Sequence, residues 1–116
     1  MSKFGIQRYK TSLTILSGTT NIVSASLALN GLLRGISISA PVMTGASFTV
    51  TIKDADGFTV YNKASIAPNA LTSAYVDANN QPLQLPLSGG YTITLLSAGT
   101  EAADRAFGVA LLIDRG

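Results

Sequence analysis

Alternation of apolar and polar residues is the feature of this sequence that most limits its fold. Phe48, Val50 and Ile52 alternate with hydroxyl and charged residues over positions 46–53, and alternation resumes after Phe58. A period of two is typical of a β-strand with one buried face, whereas a helix repeats its apolar residues every three or four positions. The sequence therefore predicts an all-β protein.

The turn between these two runs is the clearest local signal. Residues 55–57, Ala-Asp-Gly, are suited to a three-residue hairpin loop whose last residue is left-handed. This loop predicts a hairpin with Ile52 opposite Val60 and Thr51 opposite Tyr61.

A second hairpin is predicted at Asn30-Gly31, the preferred pair for a two-residue type I′ turn. Folding about this pair places Leu29 opposite Leu32 and gives one apolar and one polar face. The rival interpretation is a short helix over about 24–33, but glycine inside a helix costs about 1 kcal/mol relative to alanine. The hairpin is therefore preferred.

Four more segments complete the predicted fold. Residues 91–95 alternate as a strand, and residues 107–113 are apolar on both faces, as in a central or covered strand. Residues 71–76 form a candidate strand, and two prolines confine 81–87 to a sheet edge or an extended segment. Seven or eight short strands separated by turns indicate an antiparallel β-sandwich or jelly roll.

The N-terminal segment breaks the alternation. Apolar residues fall at even positions up to Ile6 and at odd positions from Tyr9, so the parity changes near residue 7. We interpret residues 1–7 as an extended arm and residues 8–116 as a single β-sandwich domain that begins with a strand. A bulge within one long strand is an equally good explanation.

The composition excludes several kinds of chemistry. The 116 residues include no Cys and no His, so disulfides, structural zinc and catalysis by imidazole or thiolate are ruled out. No Ser-x-x-Lys or phosphate-binding glycine motif occurs. We therefore expect a protein that is not an enzyme, with no catalytic residue, no cofactor and no metal.

The acidic residues fit turns better than they fit a site. All six lie in or beside predicted turns or chain ends, where solvated acids are ordinary: Asp54, Asp56, Asp77, Glu101, Asp104 and Asp114. An EF-hand loop that starts at Asp54 is excluded, because Phe58 and Ser65 stand where oxygen ligands belong. A weak two-carboxylate calcium site at Asp54 and Asp56 stays open beside the simpler hairpin turn.

Few charges suggest that much of the surface meets other protein. Only 12% of the residues are charged and 47% are hydrophobic, while small domains that stay alone in solution need surface charge. The sequence contains no apolar run long enough for a membrane span and no secretory signal, so we expect no membrane partner.

One basic cluster is a candidate contact surface. Cations at Lys3, Arg8 and Lys10 alternate with aromatic rings, which resembles a nucleic-acid stacking platform but is also an ordinary charged strand edge. We favour the edge and therefore do not expect nucleic acid as a partner. Arg34 interrupts an apolar face; we place it at the rim of the sandwich in preference to the alternative, a pairing with a carboxylate across an interface. The predicted partner interface comprises Phe4, Ile6, Arg8, Tyr9, Lys10 and Arg34.

Over residues 46–115 the chain resembles small β-sandwich structural proteins of tailed bacteriophages, including capsid decoration (cement) proteins. The resemblance is carried by the runs 47–61, 83–95 and 107–115, with an Asp-x-Asp-Gly turn and a Gly-Gly-Tyr at the start of a strand. It is a likeness of pattern and implies no residue roles beyond turns and strands.

The resemblance implies a protein that bridges and stabilises subunits of a capsid shell. Its partners would be the major capsid protein and copies of itself as a dimer or trimer. Its place would be the capsid surface of the virion, after synthesis in the host cytoplasm.

Two alternatives stay open. One is a structural protein of the tail or the head–tail junction, which would form rings or tubes. The other is a carbohydrate- or nucleic-acid-binding β module, which needs an exposed aromatic row drawn from Tyr9, Tyr61, Tyr75 and Tyr91. Tyr91 is expected in the core, which weakens the second alternative.

Overall fold

A computed structural model describes residues 5–77 and 79–115. Within these ranges the chain forms eight strands in one antiparallel sheet and no helix, which confirms the predicted all-β class. The strands are β1 (Ile6–Ile15), β2 (Asn21–Val23), β3 (Leu27–Ala40), β4 (Phe48–Asp54), β5 (Thr59–Ile66), β6 (Ala70–Ala74), β7 (Leu85–Ser97) and β8 (Arg105–Asp114).

The sheet folds over into two layers that share β3. The strand order is β1-β8-β3-β7-β4-β5, with β6 beside β3 and β2 beside β7. Three steps separate β8 from β4 in this order, or about 14 Å across a flat sheet. Nevertheless the rings of Phe48 on β4 and Phe107 on β8 lie 5.1 Å apart, edge to face. The two halves of the sheet therefore face each other across the core, as in a β-sandwich.

The buried strand β8 confirms the interpretation of residues 107–113. It pairs with β1 on one side and β3 on the other. Its inward face contributes Phe107, Val109, Leu111 and Ile113 to the core, and its outward face carries the buried Ala110. Small or apolar residues on both faces are what a central strand requires.

The predicted hairpin at Asn30-Gly31 is wrong, because both residues lie inside the fourteen-residue strand β3. Gly31 does have a positive φ of 130°, but it serves a close approach and not a turn. A Cβ at this position would lie 2.6 Å from the carbonyl oxygen of Asp114 on β8. Asn30-Gly31 therefore matches the pattern of a turn, but the glycine is needed here for a contact with Asp114, which is far away in sequence.

A bulge at Arg34 lets β3 serve both layers. The β3–β8 register shifts between Leu33 and Gly35. Buried residues accordingly change from odd positions, such as Leu29 and Leu33, to even ones, such as Ile36. An extra residue in one strand has this effect, and it leaves the Arg34 side chain half-buried at the bulge.

The hairpin around residues 55–57 is confirmed, although its register is not. Gly57 has a positive φ of 86°, as predicted. However, Ile52 lies opposite Tyr61 and Thr51 opposite Asn62, one residue later than predicted, and the register shifts between Ile52 and Lys53. Between this bulge and the turn, the pairing returns to the predicted register. The alternation of apolar and polar residues does not reveal the position of a bulge.

The remaining predicted segments agree in kind with the structure. β6 occupies Ala70–Ala74 within the candidate strand over 71–76, apart from its first residue. Pro86 lies near the start of β7, opposite Leu32 and before the stretch that pairs with β4. It therefore stands where β7 has only one strand neighbour among the described residues, as a proline in a sheet requires.

The first strand starts earlier than the predicted domain boundary at residue 8. β1 begins at Ile6, and its register with β8 runs without a shift from Ile6 opposite Asp114 to Ile15 opposite Arg105. The described part of the proposed arm therefore belongs to the sheet, with no bulge near residue 7. Residues 1–4 of the arm lie outside the described residues.

Candidate partner-binding surface

β1 lies at one end of the sheet with an open edge. Its ten residues pair with β8, and no other strand of the described residues pairs with it. Such an edge presents a row of backbone N–H and C=O groups to solvent or to another chain. The open edge of β1 is therefore a surface on which a further strand can be added.

One hydrogen bond shows which residues of β1 face this open edge. The N–H of Arg115 donates to the carbonyl oxygen of Gly5 at 2.9 Å, one position beyond the Ile6–Asp114 pair. In an antiparallel ladder the bonded pairs recur at every second residue. The odd-numbered residues of β1 therefore bond to β8, and the backbone groups of Arg8 and Lys10 point to the open edge.

Four of the six predicted interface residues lie together on β1. Ile6 is 61% exposed and Tyr9 38% exposed, and Arg8 and Lys10 are also exposed. The even-numbered side chains project from the outer face, on the side opposite the buried Leu13. The structure therefore brings two cations and an exposed isoleucine to one face of an open strand.

The other two predicted interface residues are separate from this group. Phe4 lies outside the described residues, as does Lys3 of the basic cluster. Arg34 lies on β3, and its Nη1 is 3.4 Å from Oδ2 of Asp114 in the same chain. Because Asp114 is opposite Ile6 in the sheet, this ion pair flanks one end of β1.

A shallow groove of about 480 Å³, which we call the outer groove, crosses the outer face of β1, β8, β3 and β6. Cations form one wall and small residues form the floor: Arg8, Lys10, Ser37, Ser39, Gly108 and Ala110. Leu71, which is 70% exposed, borders it on β6. No Asp or Glu is among the described residues that line it.

The two cations of the outer groove have no partner in the described part of the chain. The ion pairs found there join Arg34 to Asp114 and Arg105 to Glu101. Neither Arg8 nor Lys10 takes part in these pairs. Their charges are therefore available to another molecule.

Glu101 is a buried carboxylate that the sequence analysis placed wrongly among solvated acids. It follows β7, is 1% exposed, and accepts four hydrogen bonds. Oε1 accepts from the Thr44 N–H at 2.8 Å and from Arg105 Nε at 3.0 Å. Oε2 accepts from the Gly45 N–H at 2.9 Å and from Ser97 Oγ at 2.7 Å. These contacts join the β3–β4 loop to the β7–β8 loop.

The pKa of Glu101 reflects this arrangement. Burial by itself raises the pKa, but the hydrogen bonds from Ser97, the two backbone N–H groups and Arg105 outweigh it and lower the pKa from 4.5 to about 2. The carboxylate therefore stays ionised at neutral pH with its oxygens occupied by protein donors. This environment suits a structural link and not proton transfer.

The Asp54 turn is likewise satisfied internally. Oδ1 of Asp54 accepts from the N–H groups of Asp56 and Phe58, at 3.0 Å and 2.9 Å. Over residues 5–77 and 79–115 no group of three Asp or Glu side chains is arranged to hold a metal ion. Nor does this part of the chain contain a helix long and apolar enough to cross a membrane.

The four tyrosines of the alternative binding module do not form a row. Tyr91 is buried, as expected, and its hydroxyl accepts a hydrogen bond from the Ser88 N–H at 2.8 Å. Tyr9 and Tyr61 lie on β1 and β5, at opposite ends of the sheet, and burial raises the pKa of Tyr61. Tyr75 follows β6 and is 53% exposed.

Comparisons with known proteins are informative for the fold. No protein-family model and no curated protein sequence matches this chain. Among solved structures, Bacillus endospore appendages, which form disulfide-linked pili, give a TM-score of 0.51 at 11% identity over 97% of this chain and 93% of that chain. This match supports the β-sandwich fold.

Two further solved structures match this chain with lower TM-scores. The VP2 subviral particle of infectious bursal disease virus has a TM-score of 0.48 and 15% identity, and the match covers 94% of this chain but 33% of that chain. PirA has a TM-score of 0.48 and 12% identity over 90% of this chain and 93% of that chain.

Proposed function

We propose that this chain is a structural virion protein, and more specifically a capsid decoration protein of a tailed bacteriophage. It attaches to the outer surface of the shell and bridges neighbouring capsid subunits. Its partners are the major capsid protein and copies of itself. The observation that carries the proposal is the open edge of β1, where exposed apolar and cationic side chains are presented together on one strand.

The distribution of exposed apolar residues supports a bridging role. Besides Ile6 on β1, the opposite half of the molecule exposes Val23 on β2 and Leu96 on β7, at 50% and 48%. Val23 is opposite Thr94 and Leu96 is opposite Asn21, so the two side chains are diagonal neighbours on one outer face. A protein that links two subunits needs two such surfaces, and these lie on different halves of the sheet.

The proposal includes no catalytic activity. Glu101, the buried carboxylate of the described residues, has both oxygens occupied by donors of its own chain. Asp54 is used in its turn, and the chain contains no Cys or His. The carboxylates of Glu101 and Asp54 thus serve structural contacts, and the proposed role is binding to other protein subunits.

The similarity to the endospore appendages is compatible with this role, because it shows that the fold occurs in a protein that forms pili. Those pili are disulfide-linked, whereas this chain has no Cys. In the proposed role, copies of this chain would therefore associate without disulfide bonds. Apolar contacts and backbone pairing at strand edges provide such association.

Co-sedimentation with capsids tests the proposal. The major capsid protein of the same virus is assembled into shells, and the shells are banded on a density gradient with and without this chain. We expect saturable binding and a higher temperature of shell disruption. Ile6→Ser should reduce occupancy about tenfold while leaving the melting temperature of the free protein within about 2 °C, because the side chain is largely exposed.

Phe58→Ser is the matched control. Phe58 is 69% exposed but lies at the β4–β5 turn, away from β1, so its loss should leave occupancy unchanged. Absence of the wild-type chain from the shell band contradicts the capsid role. Assembly of the purified chain alone into rings or tubes in electron micrographs would instead favour the tail or head–tail junction.

A further inference from the structure

We propose that the open edge of β1 binds an extended acidic segment of the partner protein, as an added strand whose carboxylates pair with Arg8 and Lys10. This inference rests on the proposed function for the identity of the partner as a virion protein. The surface itself is defined by the backbone of β1 and by the cationic wall of the outer groove. Both features are present in the free chain.

The backbone of β1 favours a peptide over other anions. Its open edge alternates N–H donors with C=O acceptors at Ile6, Arg8 and Lys10, as the Gly5–Arg115 hydrogen bond shows. A peptide strand supplies both donors and acceptors in this spacing. A phosphate backbone supplies acceptors only, so it can pair with the N–H groups of β1 but not with its carbonyl groups. A strand therefore fits this edge better than a nucleic acid does.

The side chains of the edge determine the charge of that strand. Arg8 and Lys10 project from the same face about 7 Å apart, which is the spacing of alternate residues in a strand. No carboxylate of the described residues lies in the outer groove or pairs with either cation. Acidic side chains two residues apart on an added strand would lie opposite these two charges.

The same charges disfavour a second copy of β1 as the occupant. An antiparallel pair centred on Tyr9 places Arg8 of each copy opposite Lys10 of the other copy. A pair centred on Arg8 or on Lys10 places that cation opposite itself. Like charges that face each other across two strands are destabilising, and edge cations are a known safeguard against strand-to-strand self-association. These three registers of self-pairing are therefore disfavoured, and they are the registers that would bring both cations into the pairing.

The edge also predicts a sequence pattern for the partner. In an antiparallel strand, the residues opposite Ser12, Lys10, Arg8 and Ile6 occur in that order along the partner chain. They should be a small residue, two acidic residues and an apolar residue, each separated by one position. Ile6, which is 61% exposed, supplies the apolar contact.

A titration with designed peptides tests this assignment. A capped ten-residue peptide of alternating Val and Glu, and its Val–Lys counterpart, are added to the 15N-labelled chain, and amide chemical shifts are followed. We expect the Arg8 and Lys10 amides to shift saturably with the Val–Glu peptide, with affinity that weakens as NaCl is raised. The Val–Lys peptide should bind about tenfold more weakly.

Two sets of variants separate the contribution of the side-chain charges to peptide affinity from that of the backbone hydrogen bonds. Arg8→Glu combined with Lys10→Glu should reverse the preference in favour of the Val–Lys peptide, whereas Lys53→Glu on β4 should leave both affinities unchanged. Lys10→Pro removes an N–H that faces the open edge and should lose about tenfold more affinity than Lys10→Gln, which keeps it. Unchanged melting temperatures of these exposed-site variants confirm that the comparison concerns folded protein.

Three results would overturn the inference. They are equal binding of the two peptides, tighter binding of a ten-nucleotide oligothymidylate than of the Val–Glu peptide, and shifts confined to the opposite edge strand β5. Capsid binding distinguishes this failure from failure of the proposed function. If wild type and the double Glu variant bind capsids equally, the inference fails and the proposed function stands. If wild type binds the Val–Glu peptide but no capsid, the edge assignment stands and the proposed function fails.

Discussion

Replacement of Glu101 by glutamine should destabilise the fold through the loops at one end of the sandwich. The Glu101 side chain has no exposed area and accepts from two backbone N–H groups, Ser97 and Arg105. In Glu101→Gln the side-chain NH2 group must face the donors of one former oxygen. If the NH2 group takes the position of Oε1, it faces the Thr44 N–H and Arg105 Nε. If it takes the position of Oε2, it faces the Gly45 N–H and the Ser97 hydroxyl, which can rotate. At least one buried N–H therefore loses its acceptor.

The pKa of Glu101 gives the magnitude. The difference between 4.5 and about 2 corresponds to about 3 kcal/mol in favour of the ionised folded state. Because the folded pKa is lowered, this contribution is complete above about pH 5 and is lost as the pH falls towards 2. We therefore expect Glu101→Gln to lower the free energy of unfolding by about 3 kcal/mol at pH 7, and the gap to wild type to fall below about 1 kcal/mol near pH 2.

Urea unfolding between pH 2 and pH 7, followed by circular dichroism, measures this gap. Asp56→Ser is the matched control, because it removes an exposed carboxylate for which the structure shows no side-chain hydrogen bond; it should change stability by less than about 0.5 kcal/mol. A gap between wild type and Glu101→Gln that is below about 1 kcal/mol at pH 7, or that does not depend on pH, refutes the assignment of Glu101 as an ionised link between the loops.

Three further predictions concern the fold and are measured by the same urea titrations at pH 7. Gly31→Ala should destabilise by about 2–4 kcal/mol, because φ is positive and the new Cβ would lie 2.6 Å from the Asp114 carbonyl oxygen; a loss below about 1 kcal/mol contradicts the close approach. Gly57→Ala has the same sign of φ but no atom within 4 Å of its Cβ, so we expect only about 1 kcal/mol, and an equal loss at both glycines would be inconsistent with this reasoning. A double-mutant cycle of Phe48→Leu and Phe107→Leu should show a coupling of about 1 kcal/mol across the two layers, and strict additivity would argue against contact between the rings.

Much of the fold could be predicted from the sequence because burial in a sheet follows a period of two. That period located β4, β7 and β8, and the apolar residues on both faces of β8 identified it as a central strand. The loop at Gly57 was recognisable because its backbone requirement is local. In each case the residues that determine the structure are neighbours in sequence.

The wrong predictions have the opposite cause, because there the structure depends on residues that lie far apart in sequence. At Asn30-Gly31, a local turn pattern competes with pairing of β3 to β7 and β8, whose residues lie far away in sequence. The need for glycine there comes from the backbone of Asp114, which no short window of sequence contains. Long-range pairing overrode the local preference.

The candidate site could be predicted only in part. The exposed and charged residues of β1 were recognisable as a strand edge, but the position of β1 at the end of the sheet depends on the pairing of every other strand. For Glu101, Ser97 and Arg105 each lie four residues away, a spacing that a search for internal partners would have noticed. Thr44 and Gly45 come from a distant loop, and they turn an ordinary turn carboxylate into a buried one.

Cryo-electron microscopy of the capsids that we propose as the partner, incubated with this chain, tests the central claim most directly. We predict density for the chain at boundaries between capsid subunits, with an extended capsid segment hydrogen-bonded along the side of β1 that carries Arg8 and Lys10. A shell without such density, or a chain that touches the capsid only through β4 and β5 while β1 faces solvent, would contradict the account.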